Sequence, residues 1–189
     1  FIPKQTSSRI TLHGEYAQHD RLLYITSGFL NLGNPRKLNF PELMITPRDR
    51  IGIVGRNGAG KSTLIRHLVK HKAIPKNKLV YIPQEIDTDH AQHVLCSIRQ
   101  MPKPMRGELF SYVACLGSDV QRILETERLS PGELRKLKLA LGMTEKPYLI
   151  VMDEPTNHLD LLSIKALEKA LSACNCALIL VSHNLRFLT

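Results

Sequence analysis

The sequence predicts a three-layer α/β fold, in which helices cover both faces of a mainly parallel sheet. Short apolar runs have the length and composition of buried parallel strands, and they lie at residues 51–54, 79–82, 148–152 and 177–181. Helical patterns separate these runs, and the first run leads into a glycine-rich turn. Strands that alternate with helices indicate a parallel sheet with right-handed crossovers.

The chain has 189 residues, enough for one domain with a hydrophobic core and a small inserted subdomain. Its formal net charge of +9 favours an anionic partner, such as nucleic acid, the ribosome or an anionic membrane surface. A basic surface without any partner explains the charge equally well. We interpret the basic run from Arg66 to Lys78 as a solvated face in preference to an RNA contact.

Cysteine usage and hydropathy bear on the compartment. The four cysteines form no CxxC pair and have no histidine at zinc-ligand spacing, which is typical of reduced thiols. No apolar run approaches the ~20 residues that span a bilayer, and no signal peptide is visible. We therefore expect a cytoplasmic protein. Because the chain begins at Phe1 and stops at Thr189 just after a strand, we expect a C-terminally truncated fragment.

Three segments lie outside the main alternation of strands and helices. Residues 1–20 are polar and aperiodic, as expected for a linker tail or an edge strand. Turn residues at Ser27-Gly28 and Gly33-Asn34-Pro35 separate β-like pieces and predict an antiparallel β layer, with pieces at residues 22–25, 29–32 and 38–45. The long interval from about 85 to 147 predicts an inserted helical subdomain, with helices around 94–101 and 108–116 on either side of Pro102-Lys103-Pro104.

The glycine-rich turn has the spacing of a phosphate-binding loop. It comprises, in chain order, Gly55, Arg56, Asn57, Gly58, Ala59, Gly60, Lys61 and Ser62, with a helical pattern from Thr63. Glycines let backbone N–H groups converge on a phosphate, and the helix directs its positive dipole end to the same point. Lys61 is expected to neutralise the β- and γ-phosphates and Ser62 to ligate Mg²⁺. An incidental glycine-rich turn is the weaker alternative.

A buried strand ends in two carboxylates, Asp153 and Glu154. The carboxyl ends of parallel strands are where open α/β sheets bind ligands. Asp153 can hold Mg²⁺, directly or through water, and Glu154 can polarise a water for attack on a γ-phosphate. Gln84 and His183 follow two other strands and can reach the same edge. Gln84 can contact Mg²⁺ or the attacking water, and His183 can contact the γ-phosphate. A lone Gln is usually a surface residue and a lone His usually a structural one.

The segment Leu129–Glu133 predicts the start of a helix. Ser130 and Glu133 have the spacing of a capping box, and Pro131 occupies the favoured first helical position. The unpaired N–H groups at this helix start, around Gly132, can bind a second phosphate. We call Leu129–Glu133 the signature segment below.

Taken in order, these segments resemble the motifs of the ATP-binding cassette (ABC) ATPases, over residues 21–189. The resemblance rests on the loop 55–63, Gln84, Leu-Ser-Pro-Gly-Glu, Asp-Glu-Pro-Thr-Asn-His-Leu-Asp and Ser182-His183. It implies a P-loop NTPase fold and an ATPase that binds ATP and Mg²⁺. Ser62, Gln84 and Asp153 would then be the residues that hold the metal. Glu154 and His183 would be catalytic, His183 as the γ-phosphate sensor. Phe29 would stack on adenine, with Tyr24 or Phe40 as alternatives.

The resemblance also implies a site shared between two cassettes. Ser130, Gly132 and Glu133 would face the γ-phosphate held by the second cassette. Asp160 would lie in the segment that couples the two sites. Neither the loop nor the signature segment would then form a complete site within one cassette.

Within these ATPases, the chain is most similar to the soluble F subfamily. The similarity lies in Leu-Ser-Pro-Gly-Glu, Asn-His-Leu-Asp and Val-Ser-His-Asn-Leu-Arg-Phe-Leu; Pro131 and Glu133 replace the Gly and Gln usual in transporter cassettes. Such proteins carry two cassettes and act on ribosomes, in translation or antibiotic resistance. The alternatives are the nucleotide-binding subunit of a membrane transporter and a nucleotide-gated binding module without turnover.

Overall fold

The computed structural model describes residues 11–86, 91–126 and 129–183. Its strands are β1 (Leu23–Ile25), β2 (Gly28–Asn31), β3 (Lys37–Phe40), β4 (Leu43–Ile45), β5 (Arg50–Ile53), β6 (Leu79–Ile82), β7 (Leu149–Asp153) and β8 (Ala177–Val181). Its α-helices are α1 (Lys61–Lys70), α2 (Ala91–Gln100), α3 (Lys103–Cys115), α4 (Val120–Glu125), α5 (Pro131–Met143) and α6 (Leu161–Ser172), and a 3₁₀ turn spans Lys76–Lys78. The first half of the predicted tail lies outside the described residues, and so do the residues after His183 that contribute to the resemblance.

The predicted parallel sheet is present, with its strands in the order β5-β8-β7-β6. Full burial of all four strands was expected, and this is right only for the central pair. Every residue of β7 is buried, and only Leu180 of β8 is partly exposed. The outer strands are less buried, since each has a neighbour on one side only in the described sheet: β5 alternates exposed and partly buried residues, and β6 alternates partly buried and buried ones. Val54, expected in the first strand, lies beyond β5 and is exposed.

The predicted antiparallel layer is also present, as two separate pairs of strands. Strand β1 pairs with β4, and β2 pairs with β3. The single strand expected over residues 38–45 is therefore wrong, since the chain divides at Pro41, which has no N–H group for a ladder hydrogen bond. One core cluster joins this layer to α1 and to one face of the parallel sheet, with Leu23, Ile65 and Ile179 among its buried members.

The helices between β6 and β7 pack on the other face of the sheet. Leu109 of α3 and Leu137 of α5 share one core cluster with Met152 and Leu178 of the sheet. Helix α3 begins earlier than expected, because Pro104 falls in its first turn, where proline costs no hydrogen bond. The division into a separate helical subdomain stays a prediction. In the described part of the chain, no helix is long and apolar enough to span a membrane.

Candidate active site

A cleft of about 690 Å³ lies at the carboxyl edge of the parallel sheet, beside the glycine-rich loop. This volume lies in the range of small-ligand sites. The loop, two strand ends and the β2–β3 hairpin all contribute to its lining, which includes Asn31, Leu32, Arg36, Asn57, Gly58, Gly60, Lys61, Ser62, Thr63, Arg66, Gln84, Asp153 and Glu154. The structure thus brings together the two most specific motifs of the sequence.

The loop ends at Gly60, whose backbone is left-handed, with φ of 96°. A side chain there would be strained, and its Cβ would lie 2.9 Å from Leu32 Cδ1, so the position needs glycine. Helix α1 then starts at Lys61 without a side-chain cap, which leaves N–H groups of its first turn available to an anion. Lys61 Nζ folds back over the loop and donates to the carbonyl oxygens of Gly55 (2.7 Å) and Arg56 (3.2 Å).

Asp153 and Glu154 stand at the end of β7, and both are almost fully buried, with 1% and 2% of their surface exposed. Asp153 Oδ1 and both side-chain oxygens of Glu154 have no hydrogen-bond partner. Burying a carboxylate oxygen without a partner is costly, so this donor set calls for a cation or a water. One carboxylate beside a serine hydroxyl and a glutamine amide fits Mg²⁺, which takes few protein ligands together with phosphate oxygens.

The backbone of Glu154 is held on both sides. Its φ of 50° is in the left-handed region, which is strained for a residue with a side chain. Its N–H donates to Val181 O at 2.8 Å, and its carbonyl accepts from Arg135 Nη1 at 2.5 Å. Arg135 Nη2 also donates to Gln84 O at 2.7 Å, so one guanidinium connects two residues of the cleft.

Arg135 itself is 2% exposed, inside α5. Burial lowers the pKa of its guanidinium, while the charges of Asp153 and Glu154 oppose that shift. Sequence reasoning missed this residue, because its partners lie 19 and 51 positions away and nothing in the helix pattern distinguishes it from a surface arginine.

His183 lies at the same edge, after β8. Its Nδ1 is 2.7 Å from Glu154 Oε1, within ion-pair distance, and about half of its side chain is exposed. The imidazole approaches Glu154 Oε1 without the geometry of a hydrogen bond. The structure therefore places His183 beside the carboxylate with its imidazole still open to solvent.

The signature segment lies on a second concave surface. Ser130 accepts from Glu133 N at 3.2 Å and the Glu133 carboxylate accepts from Ser130 N at 3.0 Å, so the predicted capping box is confirmed. Gly132 packs so closely on the carbonyl of His158 that a Cβ would overlap it. Asp160 lines the same surface, and none of these residues is among those that line the cleft.

A chain of polar contacts connects α5 to Asp160. Lys136 Nζ donates to Ser163 Oγ at 2.6 Å, and Ser163 Oγ donates to Asp160 Oδ2 at 2.9 Å. Asp160 also caps α6 by accepting from Ser163 N at 2.8 Å. Hydrogen bonds from Ser163, with the charge of Lys136, lower the pKa of Asp160.

None of the aromatic residues expected near adenine is among those that line the cleft, and their contact with adenine stays a prediction. Phe29 is exposed on β2 under the Lys37 ammonium, 4.6 Å from the ring centre, and is not among the residues that line the cleft. Tyr24 and Phe40 do not line it either. The hairpin instead presents Leu32 and Arg36, whose Nη2 donates to Gly58 O at 2.6 Å. The turn at residues 33–35 was the only sequence signal that a hairpin tip would lie here.

Comparison with known proteins gives consistent matches. Residues 38–157 match the family model described as ABC transporter. The chain is 36% identical over 156 residues to the ATP-binding protein Uup of Caulobacter vibrioides. The aligned region covers 78% of this chain and 25% of Uup. It is 39% identical over 158 residues to the probable ATP-binding protein YheS of Escherichia coli K12, with 76% and 24% covered. The chain thus spans about a quarter of the length of these relatives.

A solved structure supports the fold. A bacterial Atm1-family ABC exporter with ATP bound matches with a TM-score of 0.71 and 18% sequence identity, over 94% of this chain and 38% of that one. At this identity the match shows the shared fold alone.

Proposed function

Because the chain belongs to the ABC transporter family and most resembles its F subfamily, to which Uup and YheS belong, we propose that it binds Mg-ATP and hydrolyses it together with a second cassette. The observation that carries the proposal is the pair of buried carboxylates, Asp153 and Glu154, whose oxygens include three without a hydrogen-bond partner, beside the loop 55–62. A buried anionic pair at the mouth of a phosphate-binding loop favours a cation and a nucleotide over a structural role.

The loop residues 55–63 supply the phosphate contacts in this proposal. Backbone N–H groups at the start of α1, which has no side-chain cap, would bind the phosphates. Lys61 would exchange the carbonyl oxygens of Gly55 and Arg56 for the more strongly charged phosphate oxygens. Ser62, Gln84 and Asp153, which all line the cleft, would hold Mg²⁺, whose charge neutralises the phosphates.

Glu154 is the proposed general base. Its two oxygens have no hydrogen-bond partner, so one can accept the proton of an attacking water. The backbone of Glu154 is hydrogen-bonded to Val181 and Arg135, and these bonds fix the position from which its side chain extends. His183, 2.7 Å from Oε1 and still half exposed, would contact the γ-phosphate and orient the carboxylate.

The second surface is the proposed contact to another cassette. Ser130, Gly132 and Glu133 lie there with Asp160, apart from the cleft in the same chain. Residues that contact the nucleotide bound by this chain would be expected to line the cleft of this chain. We therefore propose that Ser130, Gly132 and Glu133 close over the nucleotide of a partner cassette, in the same polypeptide or a second copy, and that Asp160 lies in the segment that couples the two sites.

The proposed partner beyond the second cassette is the ribosome, in the cytoplasm, either in translation or in resistance to ribosome-targeting antibiotics. The resemblance to the F subfamily supports this role, and so does the net charge of +9, which ATP binding alone does not require. Sedimentation with ribosomes in the presence of ATP tests it, using the Glu154→Gln chain to prolong the ATP-bound state. Absence of ribosome binding by an ATP-binding chain would favour the transporter alternative.

Calorimetry and turnover assays test the ATPase proposal. Lys61→Ala should weaken binding of Mg-ATP, because it removes a charge directed at the phosphates. Glu154→Gln should retain affinity but lower turnover roughly 10²- to 10⁴-fold, the usual effect of losing a general base. Unchanged affinity for Lys61→Ala would refute the loop assignment, and near-normal turnover for Glu154→Gln would refute the general base.

A further inference from the structure

Two buried cysteines lie in contact in the turn between α6 and β8, outside the proposed ATPase site. Cys174 and Cys176 are 0% and 1% exposed, and only Asn175 separates them in the chain. Their Sγ atoms are 3.3 Å apart, within the distance of a thiol–thiol hydrogen bond, and no disulfide joins them. Neither cysteine is among the residues that line the cleft or the signature surface. The proposed ATPase mechanism therefore does not use this pair.

Packing and metal binding are the ordinary explanations of such a pair. A buried cysteine usually acts as a small apolar residue, but two thiols in direct contact can also react with each other. A structural zinc site takes four ligands. In the described ranges of the chain, no group of three or more His, Cys, Asp or Glu residues could hold a metal ion. Redox chemistry, in contrast, needs only the two thiols and an oxidant.

The backbone of the turn brings the two sulfurs close enough to bond. Helix α6 ends at Ser172 and β8 begins at Ala177, and the chain bends at Asn175 and Cys176 between them. The sulfurs of a disulfide are about 2.04 Å apart, so each sulfur would move by about 0.6 Å from the present separation of 3.3 Å. A small rotation of each side chain can supply that movement.

The surroundings make the two thiols unequal. The hydrogen bond with Cys176 lowers the pKa of the Cys174 thiol, although burial opposes the shift. The Gly14 backbone and the charge of Arg50 add to the lowering, and Arg50 is held beside the pair because its Nη2 donates to Cys174 O at 2.7 Å. The same thiol–thiol hydrogen bond, together with burial, raises the pKa of Cys176. One sulfur is therefore suited to act as a nucleophile, and the other keeps its proton.

Gly14 covers the pair and restricts which oxidant can reach it. A Cβ on Gly14 would lie 2.8 Å from Cys176 Cβ and 2.9 Å from Cys174 Sγ, so the backbone packs directly on the pair. The next residue fixes this segment, because Glu15 N donates to Pro147 O at 3.1 Å. An oxidant as large as glutathione disulfide would have to displace the segment, whereas hydrogen peroxide, which is little larger than water, needs only a small local opening.

We propose that Cys174 and Cys176 form a redox pair, which hydrogen peroxide oxidises to an intramolecular disulfide and which thiols reduce again. The Cys174 thiolate attacks one peroxide oxygen, and the O–O bond breaks. This step leaves a sulfenic acid on Cys174, and the released hydroxide takes up the proton that Cys174 had lost, which gives water.

The second step closes the disulfide. The Cys176 sulfur attacks the Cys174 sulfur, so the S–S bond forms as the S–O bond breaks, and the hydroxyl leaves with the Cys176 proton as a second water. The two sulfurs together lose two electrons, and the peroxide gains them. Reduction by two thiol molecules, through thiol–disulfide exchange, needs the segment around Gly14 to open further.

Mass spectrometry tests the proposal on the unsubstituted chain. The folded chain is treated with hydrogen peroxide, its remaining thiols are alkylated in denaturant, and it is digested with trypsin. Cleavage after Lys169 and Arg186 releases both cysteines in the peptide 170–186, whereas Cys96 lies in the peptide 79–99. The peptide 170–186 should escape alkylation at both cysteines together and weigh two hydrogen atoms less than its reduced form. Treatment with dithiothreitol should restore both thiols.

Single variants distinguish the roles of the two sulfurs. Cys176→Ser lacks the second sulfur, so Cys174 should accumulate as a sulfenic acid that dimedone traps. Cys174→Ser lacks the nucleophile, so Cys176 should react with peroxide at least about 10-fold more slowly than Cys174 does in Cys176→Ser, because the thiolate is the reactive form. Cys115→Ser is the matched control, since it removes a partly buried cysteine outside the pair and should leave oxidation of the pair unchanged. Circular dichroism shows whether each variant is folded.

Three outcomes would contradict the proposal. If both cysteines stayed open to alkylation at a peroxide dose that oxidises the exposed Cys96, the pair would serve packing alone. If oxidation joined two chains through their peptides 170–186, the disulfide would not be intramolecular. Equal peroxide rates for Cys174→Ser and Cys176→Ser would show that Cys174 is not the nucleophile. The first two results come from the unsubstituted chain, so they hold even if a serine variant fails to fold.

Discussion

Arg135 donates a hydrogen bond to the backbone oxygen of Glu154 at 2.5 Å, from within the helix that the signature segment begins. Its other terminal nitrogen donates to Gln84 O at 2.7 Å. A buried side chain of α5 thus holds the backbone of the proposed general base and of a proposed metal ligand.

The Arg135 contact should be important for stability. Arg135→Met keeps the aliphatic stem of the side chain but removes the guanidinium, so Gln84 O loses its donor and Glu154 O keeps only Asn157 N at 3.2 Å. The free energy of unfolding should therefore fall by about 1 to 3 kcal/mol. Urea denaturation measures it. Lys138→Met, on the same helix but partly exposed, is the matched control and should change stability by less than about 0.5 kcal/mol. Equal small effects for both variants would show that the contact contributes nothing.

Gly132 and Gly107 should respond to alanine in opposite ways. Both lie in helices, but a Cβ on Gly132 would overlap the carbonyl of His158, whereas nothing lies within 4 Å of a Cβ on Gly107. Gly132→Ala should destabilise the chain by about 1 to 3 kcal/mol through overpacking. Gly107→Ala should stabilise it by roughly 0.5 to 1 kcal/mol, since alanine favours helix. Thermal unfolding of the two variants side by side would contradict the packing described here if Gly132→Ala were neutral.

Glu133 should make the stability of the chain depend on pH in the acid range. Burial raises the pKa of its carboxyl, but hydrogen bonds from Ser130 and the charges of Arg122 and Lys136 outweigh burial and lower it below its usual 4.5. A depressed carboxyl pKa stabilises the fold above the unfolded value, and this contribution is lost as pH falls through the folded value.

The free energy of unfolding of the unsubstituted chain, minus that of Glu133→Gln, should therefore be constant at neutral pH and decrease below about 4.5. Taking the difference between the two proteins removes the other titrating groups. A difference that stayed flat down to the acid transition would show that the Glu133 carboxyl is not stabilised by Ser130.

The sequence predicted the parts of the fold that depend on local chemistry. Strands β6 and β8 have the predicted bounds, and the capping box at Ser130 is confirmed, because short apolar runs and cap spacing are local properties of the sequence. Helix α4 was not predicted, although Asp119 before it accepts from Gln121 N and Arg122 N, and an Asp before a short apolar helix was a usable signal.

Contacts between segments that are far apart in the sequence could not be predicted from a sequence pattern. The burial of Arg135 and Lys136 depends on the carbonyl oxygens and the hydroxyl group that the fold brings to α5, from residues 84, 154 and 163. Adjacent charged residues on an amphipathic helix otherwise indicate a solvated face. The same holds for Arg36, whose place over Gly58 depends on how the hairpin packs on the loop.

The central claim, a site shared between two cassettes, is tested most directly by mixing two inactive variants. Lys61→Ala disables the phosphate loop, and Ser130→Arg blocks the signature surface while leaving the loop intact. Each alone should show little turnover, but the mixture should regain it, because one chain of a mixed pair supplies the loop and the other the signature. Turnover by Ser130→Arg alone at the rate of the unsubstituted chain would contradict the account, since one chain would then contain the whole site.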